Sequence, residues 1–146
     1  MFFTVLFVLS SLIADPEYSV YDCGQFVSGS TVNLFGNNVN VREAPSIDAK
    51  IVQTLPIGYP AEIISKSETM YTLNDYTTHW YNVSFEYEGE ISTGYIWGGL
   101  LSIVSYPLGS DSSELFLFCI SRFDEETGFR GKGRVAKNGK VLSETD

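Results

Sequence analysis

Val39-Asn40-Val41-Arg42-Glu43-Ala44-Pro45-Ser46 and Gly94-Tyr95-Ile96-Trp97-Gly98-Gly99-Leu100-Leu101 are the two stretches that decide how this chain folds. In the first, Val39 and Val41 alternate with Asn40 and Arg42, the period of two that puts alternate side chains on opposite faces of a strand. Pro45 has no amide hydrogen and pushes Ala44 out of the helical region, so the strand must give way to a loop there. In the second, a β-prone triplet runs into a glycine pair and then into Leu100 and Leu101, which close the segment.

The sequence between and around them repeats that pattern. Thr31 to Phe35 is β-prone, and Gly36-Asn37-Asn38 is a turn signal. Ile51 to Leu55 predicts a short strand, and Gly58 in Pro56-Ile57-Gly58 supplies a tight turn. Ala61 to Ser65 resumes as a strand. Lys66 to His79 is polar and tyrosine-rich, and predicts a long insertion rather than a compact hairpin. Trp80 to Tyr87 alternates strictly, which assigns Tyr81, Val83 and Phe85 to the core. Glu86 to Glu90 predicts an acidic hairpin tip. Five or six short strands with closely spaced turns point to a small barrel, not to a parallel sheet.

Taken in order, the opening loop, the Gly58 turn, Trp80-Tyr81-Asn82-Val83 and the closing Gly-Tyr-Ile-Trp step resemble the bacterial SH3 (SH3b) family over residues 31–104. The resemblance implies an all-β fold: a small SH3-like, partly open barrel of five to six strands, here with a short β-hairpin extension at the C-terminal side. It implies a binding module rather than an enzyme. Such modules of secreted bacterial proteins commonly bind peptidoglycan or its stem peptide, often beside a hydrolase. Gly94-Tyr95-Ile96 is similar to the step that eukaryotic SH3 domains share, but Trp97-Gly98-Gly99-Leu100 stands where those domains carry a Pro and a Tyr of the polyproline groove. That departure argues against PxxP recognition and leaves an indole for stacking on a sugar or peptide.

The candidate ligand-binding residues are therefore Glu43 in the opening loop, Tyr71, Tyr76 and Trp80 at the long insertion, and Trp97 after the closing strand. Aromatic rings bring large contact area at low entropic cost, and a carboxylate can pair with a cationic amine of a wall peptide. The competing reading is that Trp80 and Trp97 cover an open end of the core. Tyr95 is assigned to packing. Arg130, Lys132 and Arg134 alternate with Gly131 and Gly133, and read as a solvated strand face or one neutralised by the acids of the SH3-like segment. Catalysis has little to stand on: His79 is the only histidine, and no nucleophile elbow, phosphate loop or dinucleotide fingerprint occurs. No catalytic residue, cofactor or metal site is assigned.

The flanks complete the reading. Residues 1–14 hold an apolar run, Phe2 to Ala14, of signal-peptide length and too short to span a bilayer; a buried strand or helix is the alternative. With a signal segment the protein would be exported, as a periplasmic, cell-envelope or secreted protein that meets the membrane only transiently. Residues 15–30 are a lead-in, residues 105–114 a linker, and residues 115–146 either a β extension docked on the barrel or the start of a second domain. Cys23 and Cys119 form a disulfide in an oxidising compartment, or Cys119 is a small core residue; both remain open. Residues 31–104 carry eight acids and three bases, too few cations for a phosphate backbone, so nucleic acid is not an expected partner. The expected partner is peptidoglycan or an envelope peptide or protein. A structural or protein-interaction domain, or a regulatory partner of a separate envelope enzyme, is the alternative.

Overall fold

The computed structural model describes Ser19–Val20 and residues 25–146; the run Phe2 to Ala14 and Cys23 lie outside the described residues. The strands are β1 (Ser19–Val20), β2 (Thr31–Asn33), β3 (Asn38–Arg42), β4 (Ile51–Pro56), β5 (Pro60–Leu73), β6 (Tyr76–Tyr87), β7 (Glu90–Trp97), β8 (Val104–Leu108), β9 (Glu114–Asp124), β10 (Gly128–Lys137) and β11 (Lys140–Thr145), with a 3-10 turn at Gly98–Leu100. Two sheets result. The first has six strands in the order β2-β5-β6-β7-β3-β4, and the second has five in the order β1-β8-β9-β10-β11. The six-stranded sheet curls into a half-barrel, the partly open barrel that the sequence pattern predicted.

The alternation read from the sequence fills its interior. Val39, Val41, Tyr81, Val83, Phe85 and Ile96 are all buried, and Phe26 meets the Tyr81 ring edge-on at 5.1 Å between centroids. Gly94 is required where β3 crosses β7: a Cβ there would stand 2.6 Å from Val41 Cγ1 and 2.8 Å from the Arg42 carbonyl oxygen. Arg42 and Tyr95 are register partners at that crossing.

Lys66 to His79 is longer than a compact hairpin, as expected, and apart from its turn it is regular strand. It extends β5 and β6 into one long hairpin whose turn is Asn74-Asp75, both with positive φ (51° and 60°). The two-residue turn with both φ positive matches the twist of the strands, and Asn and Asp tolerate it best after glycine. Thr72 and Thr77 hydroxyls meet across the strands at 2.7 Å. Polar residues are compatible with this hairpin because its β5 arm is largely exposed, while the β6 arm buries only alternate residues, Tyr76 and Thr78.

The stretch expected as a linker, 105–114, begins inside β8, and its turn is confined to the residues between β8 and β9, with positive φ at Gly109 and Ser112. The tail then builds more than one short strand. Gly131 and Gly133 in β10 lie under the rings of Phe118 and Phe116; a Cβ at Gly131 would stand 1.9 Å from Phe118 Cζ. The Asn138-Gly139 turn has φ of 51° and 73° and joins β10 to β11. Ser19–Val20 pairs with β8, so the lead-in adds its strand to this second sheet and not to the half-barrel.

The two sheets pack together. Leu117, Cys119 and Ala136 bury against Phe35 and Ile57, and the Ile103 amide donates to the Phe118 carbonyl at 2.8 Å. Arg134 ties the seam: its guanidinium lies 4.5 Å from the centre of the Phe35 ring, Nη1 donates to the Phe35 carbonyl at 2.8 Å and Nε to Glu144 at 2.6 Å. Lys132 pairs with Glu144 at 2.9 Å and Asp146 at 3.2 Å. The expected neutralisation thus comes from the tail's own acids rather than from the half-barrel. The even alternation is also broken, by a bulge between Arg130 and Gly131. Among the described residues Cys119 is a free, buried cysteine, and burial pushes its thiol up to about 12.

Hydrogen bonds from Lys132, and next from Arg134, hold the Glu144 carboxyl below its ordinary value of 4.5. A depressed carboxylate contributes stability that is present above the unfolded value and is lost as pH falls through the folded one. Thermal melts between pH 7 and pH 3 should therefore show a smaller acid-side loss for Glu144→Gln than for the native chain. Equal losses would mean that this ion pair does not support the seam.

Candidate functional site

Cross-strand register places the two indoles together. Trp80 of β6 and Trp97 of β7 are direct partners in the ladder, so both side chains leave the same face of the sheet. The glycine pair after Trp97 lets its ring fold back over the 3-10 turn, since a Cβ at Gly99 would stand 2.2 Å from the Trp97 ring carbons. The Trp97 indole N–H donates to the Tyr71 carbonyl at 3.0 Å. Tyr71 meets Trp97 edge-on at 6.0 Å and Trp80 at 6.4 Å, and Tyr76 lies 5.9 Å from Trp97.

Above these rings runs a groove of about 220 Å³, bordered by Asn38, Asn40 and Arg42 of β3, Ile47 of the opening loop, Tyr71 and Leu73 of β5, Trp80, Trp97 and Leu100. Its banks are the opening loop and the β5–β6 hairpin. Arg42 Nη1 donates to the Ala49 carbonyl at 2.7 Å, clamping the loop against the strand. The loop is braced further by the Glu43 amide on the Lys50 carbonyl (2.9 Å) and the Asp48 amide on Ser46 Oγ (3.2 Å). The Thr54 hydroxyl donates to Asn40 Oδ1 at 2.8 Å, which fixes that amide. An apolar floor with a bank of amide and guanidinium donors can hold a ring or an extended chain that carries carbonyl or carboxylate oxygens.

The structure brings Tyr71, Trp80 and Trp97 together on this groove, and leaves Glu43 exposed on the opening loop and outside its lining. Tyr76 stands behind Trp97. The expected exposure of the aromatics is corrected: Tyr76, Trp80 and Trp97 are 5%, 3% and 6% exposed and form a cluster with Ile120 of β9. They are buried because the second sheet lies over the open end of the half-barrel, a partner that the residues 31–104 do not reveal. Only a margin of each indole reaches the groove. The accessible groups are Ile47 (47% exposed) and Leu73 (45%), with half-buried Tyr71 and Arg42. Of these, Ile47 and Leu73 carried no sequence signal, whereas the Val39-Val41 alternation already turned Asn40 and Arg42 outward.

Residues 37–102 match the family model described as Bacterial SH3 domain. No curated protein and no solved structure matches the chain.

Since Trp97 is core, Trp97→Ala should cost roughly 3–5 kcal/mol of stability, as other buried Trp-to-Ala changes do. Ile47→Ser should cost less than about 1 kcal/mol, as exposed substitutions do. Urea denaturation of the two variants measures both; a Trp97→Ala loss as small as that of Ile47→Ser would show the indole to be a surface group.

Proposed function

Taking residues 37–102 as the bacterial SH3 domain they match, we propose that this chain is a non-catalytic module of an exported protein that recognises a cell-envelope ligand, peptidoglycan or its stem peptide. Bacterial SH3 domains are commonly binding modules and generally not enzymes. The observation that carries the reading is the braced groove between the opening loop and the β5–β6 hairpin. Ile47, Tyr71 and Leu73 offer apolar contact to a sugar face or an alanine-like side chain, the small margins of Trp80 and Trp97 extend that floor, and Arg42 and Asn40 meet backbone carbonyls or a carboxylate. The ordered loop lowers the entropic cost of binding, because its conformation is set before the ligand arrives. Glu43, exposed on the same loop but outside the groove's lining, offers a carboxylate to an amine of a longer ligand.

Cosedimentation of the full chain with purified peptidoglycan at low and moderate salt tests this. The native chain should pellet at both salts. The double variant Ile47→Ser with Leu73→Ser should lose about tenfold in affinity, the size expected when two apolar anchors are removed. Ile91→Ser, which alters a residue 75% exposed near the tip of the β6–β7 hairpin, should bind as the native chain does. A native chain that stays in the supernatant at both salts would remove the wall ligand and favour a protein partner.

A further inference from the structure

Arg122 of β9 and Arg130 of β10 are direct register partners across an antiparallel ladder. Like charges placed opposite one another destabilise a sheet unless something lies between them. The neighbouring carboxylate of Asp124, which lies in the field of Arg130 as well as of Arg122, relieves this pair only in part. Asp124 reaches Arg122 only at 3.6 Å, and it already accepts the amides of Glu126 and Thr127 at 3.0 Å each. Those amides, Thr127 first, hold it below the ordinary aspartate range. Arg130 Nε donates to the Thr127 hydroxyl at 3.4 Å, and among the described residues it has no carboxylate within 4 Å. Lys132, in contrast, is engaged by Glu144 and Asp146.

Arg122 and Arg130 border a cleft of about 820 Å³ between this hairpin and the Asn74-Asp75 turn of β5–β6, and Ser121, Thr127 and Lys132 also line it. The geometry points to an oxyanion site here, in which a phosphate or carboxylate group bridges Arg122 and Arg130. A planar guanidinium fork matches two oxygens of such a group, and a shared anion converts the repulsion between two cations into attraction to one ligand. Asp75 and Asp146 also border the cleft, so they select against ligands of high negative charge and favour a single anionic group. The site lies across the β5–β6 hairpin from the groove and stands independently of the groove's ligand.

The test is titration of the full chain with inorganic phosphate and, separately, with succinate, each against sodium chloride at matched ionic strength, followed by amide and arginine Nε–H chemical shifts. Saturable shifts at Arg122, Thr127 and Arg130 are expected in at least one arm, and the arm with the tighter binding identifies phosphate or carboxylate as the source of the anion. Arg130→Gln and Arg122→Gln, both at exposed positions, should each weaken binding by about fivefold, the size of an exposed charged contact. Leu73→Ser on the groove should leave it unchanged. Shifts that track chloride alone in both arms, or an unchanged affinity in Arg130→Gln, would overturn the site.

Discussion

A six-stranded sheet that curls without closing leaves one end of its core uncovered, and the rest of this structure follows from how that end is covered. Phe35, Ile57, Tyr76, Trp80 and Trp97 are buried, yet they belong to clusters that the half-barrel alone does not complete. Leu117, Cys119, Ile120 and Ala136 of the second sheet complete them. Burial of apolar surface at about 25 cal/mol per Å² makes such a lid a large stabilising term. Arg134 adds direction to it, since its guanidinium stacks on Phe35 while hydrogen-bonding to that residue's carbonyl and to Glu144. The hydrophobic contact holds the sheets together, and the polar contact fixes their register.

This arrangement links the tail to the groove through rings. Trp80 and Trp97 each meet Tyr71, Trp97 meets Tyr76, Tyr76 meets Phe129 edge-on at 6.0 Å, and Phe129 pairs with Phe123 at 5.1 Å. Each ring contact in such a chain is worth on the order of 1 kcal/mol beyond its buried area. The groove floor therefore rests on residues contributed by the second sheet, outside the segment that matches the bacterial SH3 domain. What the groove presents to a ligand is correspondingly shifted, from broad indole faces to Ile47, Tyr71 and Leu73 with Arg42 and Asn40 beside them.

Much of the half-barrel was legible because its signals are local. The Val39-Val41 and Tyr81-Val83-Phe85 alternations, the Pro45 break and the Gly58 turn each act within a few residues, and each occurs where expected. Three readings depended on longer range. Lys66 to His79 read as a long insertion because most of its β5 side chains are exposed and its buried Tyr76 packs in a cluster with Ile120, far away in the sequence. The tail left a docked β extension and the start of a second domain both open, because its contacts with Phe35 and Ile57 are made between residues far apart in the sequence. For the tryptophans, a ligand-facing role and a core-covering role stayed open, because the element that buries them lies beyond residue 104. For the site, residue type pointed to the correct region at Tyr71, Trp80 and Trp97. It could not separate rings that support the floor from residues that face the ligand.

The claim that most needs a direct measurement is that the half-barrel and the second sheet form one cooperative unit. Native-state hydrogen exchange across a series of low denaturant concentrations measures it, because amides that open together share one free energy and one denaturant dependence. The account predicts that the slowest amides of β9 and β10, around Leu117 and Cys119, converge with those of β6 and β7 around Tyr81 and Ile96. A second sheet that exchanges at a clearly lower free energy, while β6 and β7 stay protected, would contradict it and make the tail a separable appendage.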